Sequence, residues 1–235
     1  MTSQSFQRFA SVTAILSAPL AFASTVLLFA AVNYNLETFD GALLLSQAGT
    51  AGARFAYWSM VLDMLGYYLL IAPLMLFLWR WLKPKQPDWV GFFTICGLAY
   101  VLIGAIGAAI LAAVVPSLIA EYQVASAPRR EMLELVFNTT LNMVYGGLWN
   151  MLEEFVAGVG WIGIGLFLRR ERPSIGIITI ILGLAALIDS VGTTLGIEAI
   201  AQPSLYVYLI LAPLWALWLG IILLWPLPVE AGVDE

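Results

Sequence analysis

The sequence predicts an all-α integral membrane protein: a bundle of six transmembrane helices with both termini cytoplasmic, plus an amphipathic outer helix near 128–144. Three observations carry this. Of 235 residues, 62% are hydrophobic and only 11% charged, where a soluble domain carries about a quarter charged residues. Six apolar runs, at about 9–33, 55–79, 90–115, 145–168, 174–197 and 205–226, are each near the roughly 20 residues a helix needs to cross the hydrocarbon. The basic residues are also unevenly placed. Arg8, Arg80, Lys83, Lys85, Arg169, Arg170 and Arg172 share one side, and only Arg54, Arg129 and Arg130 fall on the other. The richer side is cytoplasmic by the positive-inside bias. One membrane domain covering 1–235 is expected, with the lipid bilayer as its first partner.

Taken in order, the first run contains "AFAS" at 21–24, which resembles a signal-peptide cleavage site. The apolar run continues well past it, so a retained helix is expected. The basic loop after the second run is flanked by Trp79, Trp81 and Trp89, as befits interfacial tryptophans. Two outer connections are long, 34–54 and 117–144. In the second, Pro128 suits a first helical turn with Ser126 as its cap. Glu131, Glu134, Asn138 and Asn142 then recur at helical spacing, with Met132, Leu133, Val136 and Phe137 on other faces. An unbroken helix over 128–168 would be about 60 Å long, so a bend is expected at Gly146-Gly147. Pro73 and Pro213 are expected to kink their helices, and "GTTLG" (192–196) to give a small-residue packing face.

Two pairs of stretches resemble each other. "WSMVLDM" (58–64) aligns with "WNMLEEF" (149–155), placing Asp63 on Glu154, and "YLLIAPL" (68–74) aligns with "YLILAPL" (208–214), placing Pro73 on Pro213. Parallel repeats of this kind recur in transporters. Shared apolar composition is the simpler explanation, and both remain open.

The chemistry available inside the membrane is narrow. The chain has no histidine and one cysteine, Cys96, which removes His-ligated haem, most zinc sites, cysteine-ligated clusters and the usual general base. The lysines, Lys83 and Lys85, lie in a loop, so a retinal Schiff base has no attachment point within the spans. No cofactor is expected, and no nucleic-acid partner. What remains is acid. Asp88 belongs beside its basic loop, but Asp63, Glu153, Glu154 and Asp189 lie within apolar runs. Asp63 and Glu153 are each eight residues in from the outer ends of their spans, and Asp189 is eight short of its own. That places these carboxyls in one layer about 12 Å below the outer boundary.

A charge near the bilayer centre costs about 2.5–3.5 kcal/mol on insertion scales and usually faces the interior. No basic side chain lies in the spans to pair with these four. They must carry protons, find hydrogen bonds, or be neutralised by a bound cation. Adjacent helical residues point about 100° apart, so Glu153 and Glu154 should serve different surfaces. Asn142 and Asn150 fall near Glu153 in angle. Trp58, Trp149, Tyr57 and Tyr67 could wall a pocket suited to an organic cation, and Ser190, Thr193 and Thr194 follow Asp189. The competing explanation is that protonated acids hold helices together, such bonds averaging about 0.6 kcal/mol where measured.

Enzyme readings meet gaps in the inventory. The "EE" of "EEFVAG" resembles the motif of Abi-type (CAAX) membrane proteases, but the arginine and histidines of that motif are missing. "VLDM" and "LIDS" lack the contexts of two-aspartate intramembrane proteases. The long outer connections, together with "GIGLFLRRERPSIGIITIILGL", a span ending in a basic turn before a Gly-rich span, resemble bacterial six-span membrane proteins catalogued as families of unknown function. That resemblance implies a bacterial inner membrane and no particular activity. The functional expectation is a small carrier or binding protein with an outward-facing carboxylate pocket for a proton, metal ion or organic cation. The alternatives are a non-catalytic membrane subunit in a homo- or hetero-oligomer, and a carboxylate-metal membrane enzyme.

Overall fold

The computed structural model describes residues 4–32, 41–84 and 87–225. Lys85 and residues 34–40 of the first outer connection lie outside them. The described chain is helical and contains no strand among the described residues. Its helices are α1 (Gln4–Ala31), α2 (Gly41–Asp63), α3 (Ala72–Leu82), α4 (Pro87–Val124), α5 (Ala127–Leu141), α6 (Glu154–Glu171), α7 (Pro173–Leu195) and α8 (Glu198–Ile222). Six segments are long and apolar enough to cross a membrane, Gln4–Ala31, Ala51–Leu82, Asp88–Val124, Ala127–Glu171, Pro173–Leu195 and Glu198–Ile222.

The spans are neighbours in chain order. α1 packs on α2, α2 on α4, α4 on α6, α6 on α7, α7 on α8, and α8 returns to α1. The result is a closed up-and-down ring. Its closure is fastened at one end by Gln7, whose Nε2 donates to Leu223 O and Trp225 O, both at 3.0 Å. The start of α1 and the end of α8 therefore share one face of the bundle. Arg80 also belongs there, its guanidinium 4.4 Å from the centre of the Phe6 ring. Small residues let α6 and α7 approach closely: a Cβ at Gly158 would lie 2.8 Å from Gly183 O, and one at Gly183 would lie 2.7 Å from Ile162 N.

Several local expectations come out differently in detail. α2 is broken at Gly49, whose φ of 57° is open to glycine, so the membrane-crossing part begins at Ala51. Where a bend was expected at Gly146-Gly147, the chain instead widens into a π-helical stretch, Asn142–Glu153, that joins α5 to α6. A second wide turn, Met64–Tyr68, follows Asp63 and leads through a short 3₁₀ turn, Leu69–Ile71, into α3. Pro73 thus sits in the first turn of α3, where its missing N–H costs nothing. Ser126 precedes α5 as expected but makes no side-chain cap. "GTTLG" does not form one packing face. Gly192 packs close to Ala201, while Gly196 adopts φ 68° and ends α7, with Ile197 N donating to Gly192 O at 2.8 Å.

α5 is held against the end of α4. Arg129 pairs with Glu121 at 2.6 Å, Tyr122 donates to Glu134 Oε1 at 2.6 Å, and Leu133 and Phe137 are buried. Met132 and Val136 are exposed. The buried stripe of this segment is therefore Leu133 and Phe137.

Candidate functional site

Wide helical turns adjoin three of the four acids, Asp63, Glu153 and Glu154, while Asp189 lies within α7. A π-helical register shifts every following side chain around the axis relative to an α-helix, and such turns concentrate at functional sites. One wide turn begins directly after Asp63 and the other ends at Glu153. Glu153, Glu154 and Asp189 are 1%, 2% and 1% exposed. Asp63 is half-buried, although its Oδ2 is sealed from solvent and meets no donor.

Glu153 faces the centre of the ring. Its Oε2 accepts from Tyr68 at 3.1 Å and its Oε1 from Tyr208 at 3.0 Å, so both oxygens are engaged. Tyr68 and Tyr208 are the first residues of the two matched stretches, "YLLIAPL" and "YLILAPL". The paired motifs therefore converge on one carboxyl from two helices. Around the clamp the interior is aromatic: Tyr100 lies 4.8 Å from Trp161, Trp161 is 5.7 Å from Tyr208, and Tyr68 is 6.3 Å from Trp149. Tyr100 donates to Tyr67 O and Tyr67 to Leu209 O.

Two α4 glycines make room for this cluster. A Cβ on Gly104 would fall 1.9 Å from the Tyr68 ring, and one on Gly107 would fall 2.3 Å from Trp149 Nε1. Trp149 Nε1 itself donates to Gly104 O at 3.2 Å. A cavity of about 10 Å³ lies beside Tyr67, Tyr100, Trp161 and Trp215, at the lower limit for one water.

Glu154 turns to α7 instead. Its carboxyl and that of Asp189 lie within hydrogen-bonding reach of each other, yet no donor reaches Glu154 Oε2 or Asp189 Oδ2. A carboxylate is acceptor-only, so these two can bond only if one carries a proton. Thr193 Oγ1 is 3.5 Å from Asp189 Oδ1, and Ser190 ties α7 to the wide turn by donating to Met151 O at 2.7 Å. Asp189 also lines a cleft of about 270 Å³ at the α7–α8 end, with Asn150, Thr193, Glu198, Gln202 and Leu205. Gly196, which lines it too, is what turns the chain there.

No family model, curated protein or solved structure matches this chain.

The residues singled out from the sequence therefore separate into groups. Asp189 and Asn150 line the cleft, Glu154 meets Asp189 without lining it, and Glu153, Trp149 and Tyr67 belong to the aromatic centre. Asp63 interacts electrostatically with Glu153 and lies beside Ser24. Asn142 is exposed. Trp58 is 51% exposed and meets Tyr57 edge-on at 5.4 Å. Tyr68, Tyr100, Tyr208 and Glu198 were missing from the sequence-derived set. The matched tyrosine at the head of the two repeats was the available signal for Tyr68 and Tyr208. Among the described residues, no three His, Cys, Asp or Glu side chains are grouped so as to hold a metal ion.

Proposed function

We propose that this polytopic membrane protein is a small carrier or binding protein for a small cation, with the cleft between α7 and α8 as the entrance and Asp189 and Glu154 as the ligands. In this reading both termini are cytoplasmic and the cleft opens outward, in keeping with the seven-to-three placement of basic residues. A bacterial plasma membrane fits the layout of its basic turns. The observation that carries the proposal is Asp189: an acid 1% exposed, with an oxygen that no donor reaches, lining an open polar cleft. A buried carboxylate without a counter-ion is expensive, and a site that needs a cation is suited to receive one.

Glu153 supports a second reading for itself alone. With both oxygens taken by tyrosines from other spans, it has the environment of a group that fastens helices. The proposal thus divides three of the four acids into a lock, Glu153, and a site, Glu154 and Asp189.

The test is thermal stability of the purified protein across pH and a panel of cations, run beside Asp63→Asn, Glu153→Gln, Glu154→Gln and Asp189→Asn. A ligand that binds only the folded state raises stability with its concentration. Stabilisation lost in Glu154→Gln and Asp189→Asn supports the site. Stability indifferent to every cation removes it and turns attention to a subunit role.

A further inference from the structure

If the α7–α8 cleft admits a cation, Asp189 on its wall and Glu154, which meets Asp189, also determine which ion enters and what that ion displaces. Resting on that cation site, we propose that the Glu154–Asp189 pair is an exchange site that holds either one proton or one monovalent cation, an alkali ion or a primary ammonium. Three features point to it. The two carboxyl groups are within hydrogen-bonding reach, each keeps an oxygen without a donor, and the Asp189 side chain borders open space.

Among the described residues, the groups that face the pair supply no positive charge. From the same helix comes Glu153, already engaged by Tyr68 and Tyr208. From α7 come Thr193, at 3.5 Å from Asp189, and Ser190, whose hydroxyl is given to Met151 O. From α8 come Tyr208, which interacts electrostatically with Glu154, and Glu198 on the cleft wall. None is basic.

The exchange balances in charge. With one proton shared, the pair carries a single negative charge. When a monovalent cation enters, the remaining O–H bond breaks, the proton leaves to cleft water, and two carboxylates hold one positive charge. The pair again carries a single negative charge. The buried acids nearby, Glu153 and Asp63, therefore feel the same net field before and after.

The cleft also limits the ion. Its walls are Asn150, Thr193, Glu198, Gln202 and Leu205 beside Asp189, with no aromatic ring among them. A quaternary ammonium, which is held by aromatic faces, has nothing to rest on. Calcium takes six to eight oxygen ligands, and no group of three His, Cys, Asp or Glu side chains converges among the described residues. Magnesium, which takes one or two carboxylates and keeps its waters, is set apart by charge, because in place of one proton it would leave the pair neutral and change the field on Glu153 and Asp63. The space of about 270 Å³ leaves room for an ion with part of its water shell.

The experiment uses the full-length purified protein in weakly buffered detergent with a pH-indicator dye. Sodium, potassium, methylammonium, choline, magnesium and calcium chlorides are added at constant ionic strength, and thermal stability is read in parallel. The expected result is release of one proton per cation bound with sodium, potassium or methylammonium. The half-saturating concentration should fall about tenfold for each pH unit of increase, as direct competition requires. Infrared difference spectra of the unmodified protein should show a carboxylic-acid carbonyl band lost on cation addition, which keeps the test independent of how any variant folds. Glu154→Gln and Asp189→Asn should bind no cation and release no proton.

Stabilisation by these cations without proton release overturns the exchange and leaves the cation site standing. A response confined to magnesium or calcium, or to choline, overturns the monovalent assignment. No response to any cation at any pH overturns both the exchange and the site beneath it.

Discussion

Glu153 and Glu154 are neighbours in the chain, almost equally buried, and opposite in situation. Glu153 has a tyrosine on each oxygen and aromatic rings beyond them. Glu154 has only another acid to face, and one of its oxygens is left bare. The difference arises from about 100° of rotation between successive helical residues, which sends one side chain to the centre of the ring and the other to α7. Burial alone does not separate a structural acid from a functional one. The supply of donors does, because a satisfied buried group rigidifies while an unsatisfied one remains costly until something arrives.

The largest effect should come from breaking the satisfied side. Glu153→Ala removes the acceptor for two buried tyrosine hydroxyls and leaves a void among large rings. A cost of about 3–5 kcal/mol is expected from the combined loss of hydrogen bonds and packing. Glu154→Ala should cost about half as much or less, since it also relieves an acid–acid contact. Chemical denaturation of both variants in the same detergent measures this, and equal losses would erase the contrast. Tyr68→Phe and Tyr208→Phe should each cost about 1–2 kcal/mol. Their double variant should lose less than the sum if the two hydroxyls act on one carboxyl.

Next in size is the support behind the clamp. A methyl on Gly104 would fall inside the Tyr68 ring's contact distance, at 1.9 Å, and the ring can yield only by leaving Glu153. Gly104→Ala should therefore cost about 1–3 kcal/mol, the usual range for overpacking. Gly146→Ala and Gly147→Ala, where an added Cβ meets nothing within 4 Å, should be neutral or slightly stabilising through helix propensity. A Gly104→Ala variant as stable as these two would show that the Tyr68–Glu153 bond contributes little.

The fold was largely legible because membrane crossing is a matter of length and apolarity, and both are written along the chain. The ring order was legible only as a default: spans in sequence tend to be neighbours, and here all of them are. The split between Glu153 and Glu154 followed from helix geometry. What could not be read was which donors would meet which acid. Tyr68 and Glu153 are 85 residues apart, and their meeting depends on α4 glycines that look like any others in an apolar run. The wide turns were hidden for a related reason. A π-helical register leaves no periodic mark, so the Gly146-Gly147 pair suggested a bend where the chain winds more loosely. Trp58 and Trp149 stood at matching positions in similar stretches, yet one is 51% and the other 8% exposed. Similarity between apolar helices does not convey which face looks inward.

The smallest change in stability, and the most telling, should come from amide substitution in the unsatisfied pair. Glu154→Gln places an N–H donor opposite Asp189 without altering size, so the contact no longer depends on a shared proton. Asp189→Asn does the reverse. Each single variant should lie within about 1 kcal/mol of the unmodified protein, on the stabilised side where the pair would otherwise lose its proton. The double variant can still form an amide–amide bond and should be close to both. Carrying the same three variants through a stability series from acid to alkaline pH tests the point. The unmodified protein should weaken relative to Glu154→Gln as pH rises, because removing the shared proton leaves two facing carboxylates. Parallel curves at every pH would mean that no proton is shared, and Glu154 would then be as inert a fastening as Glu153.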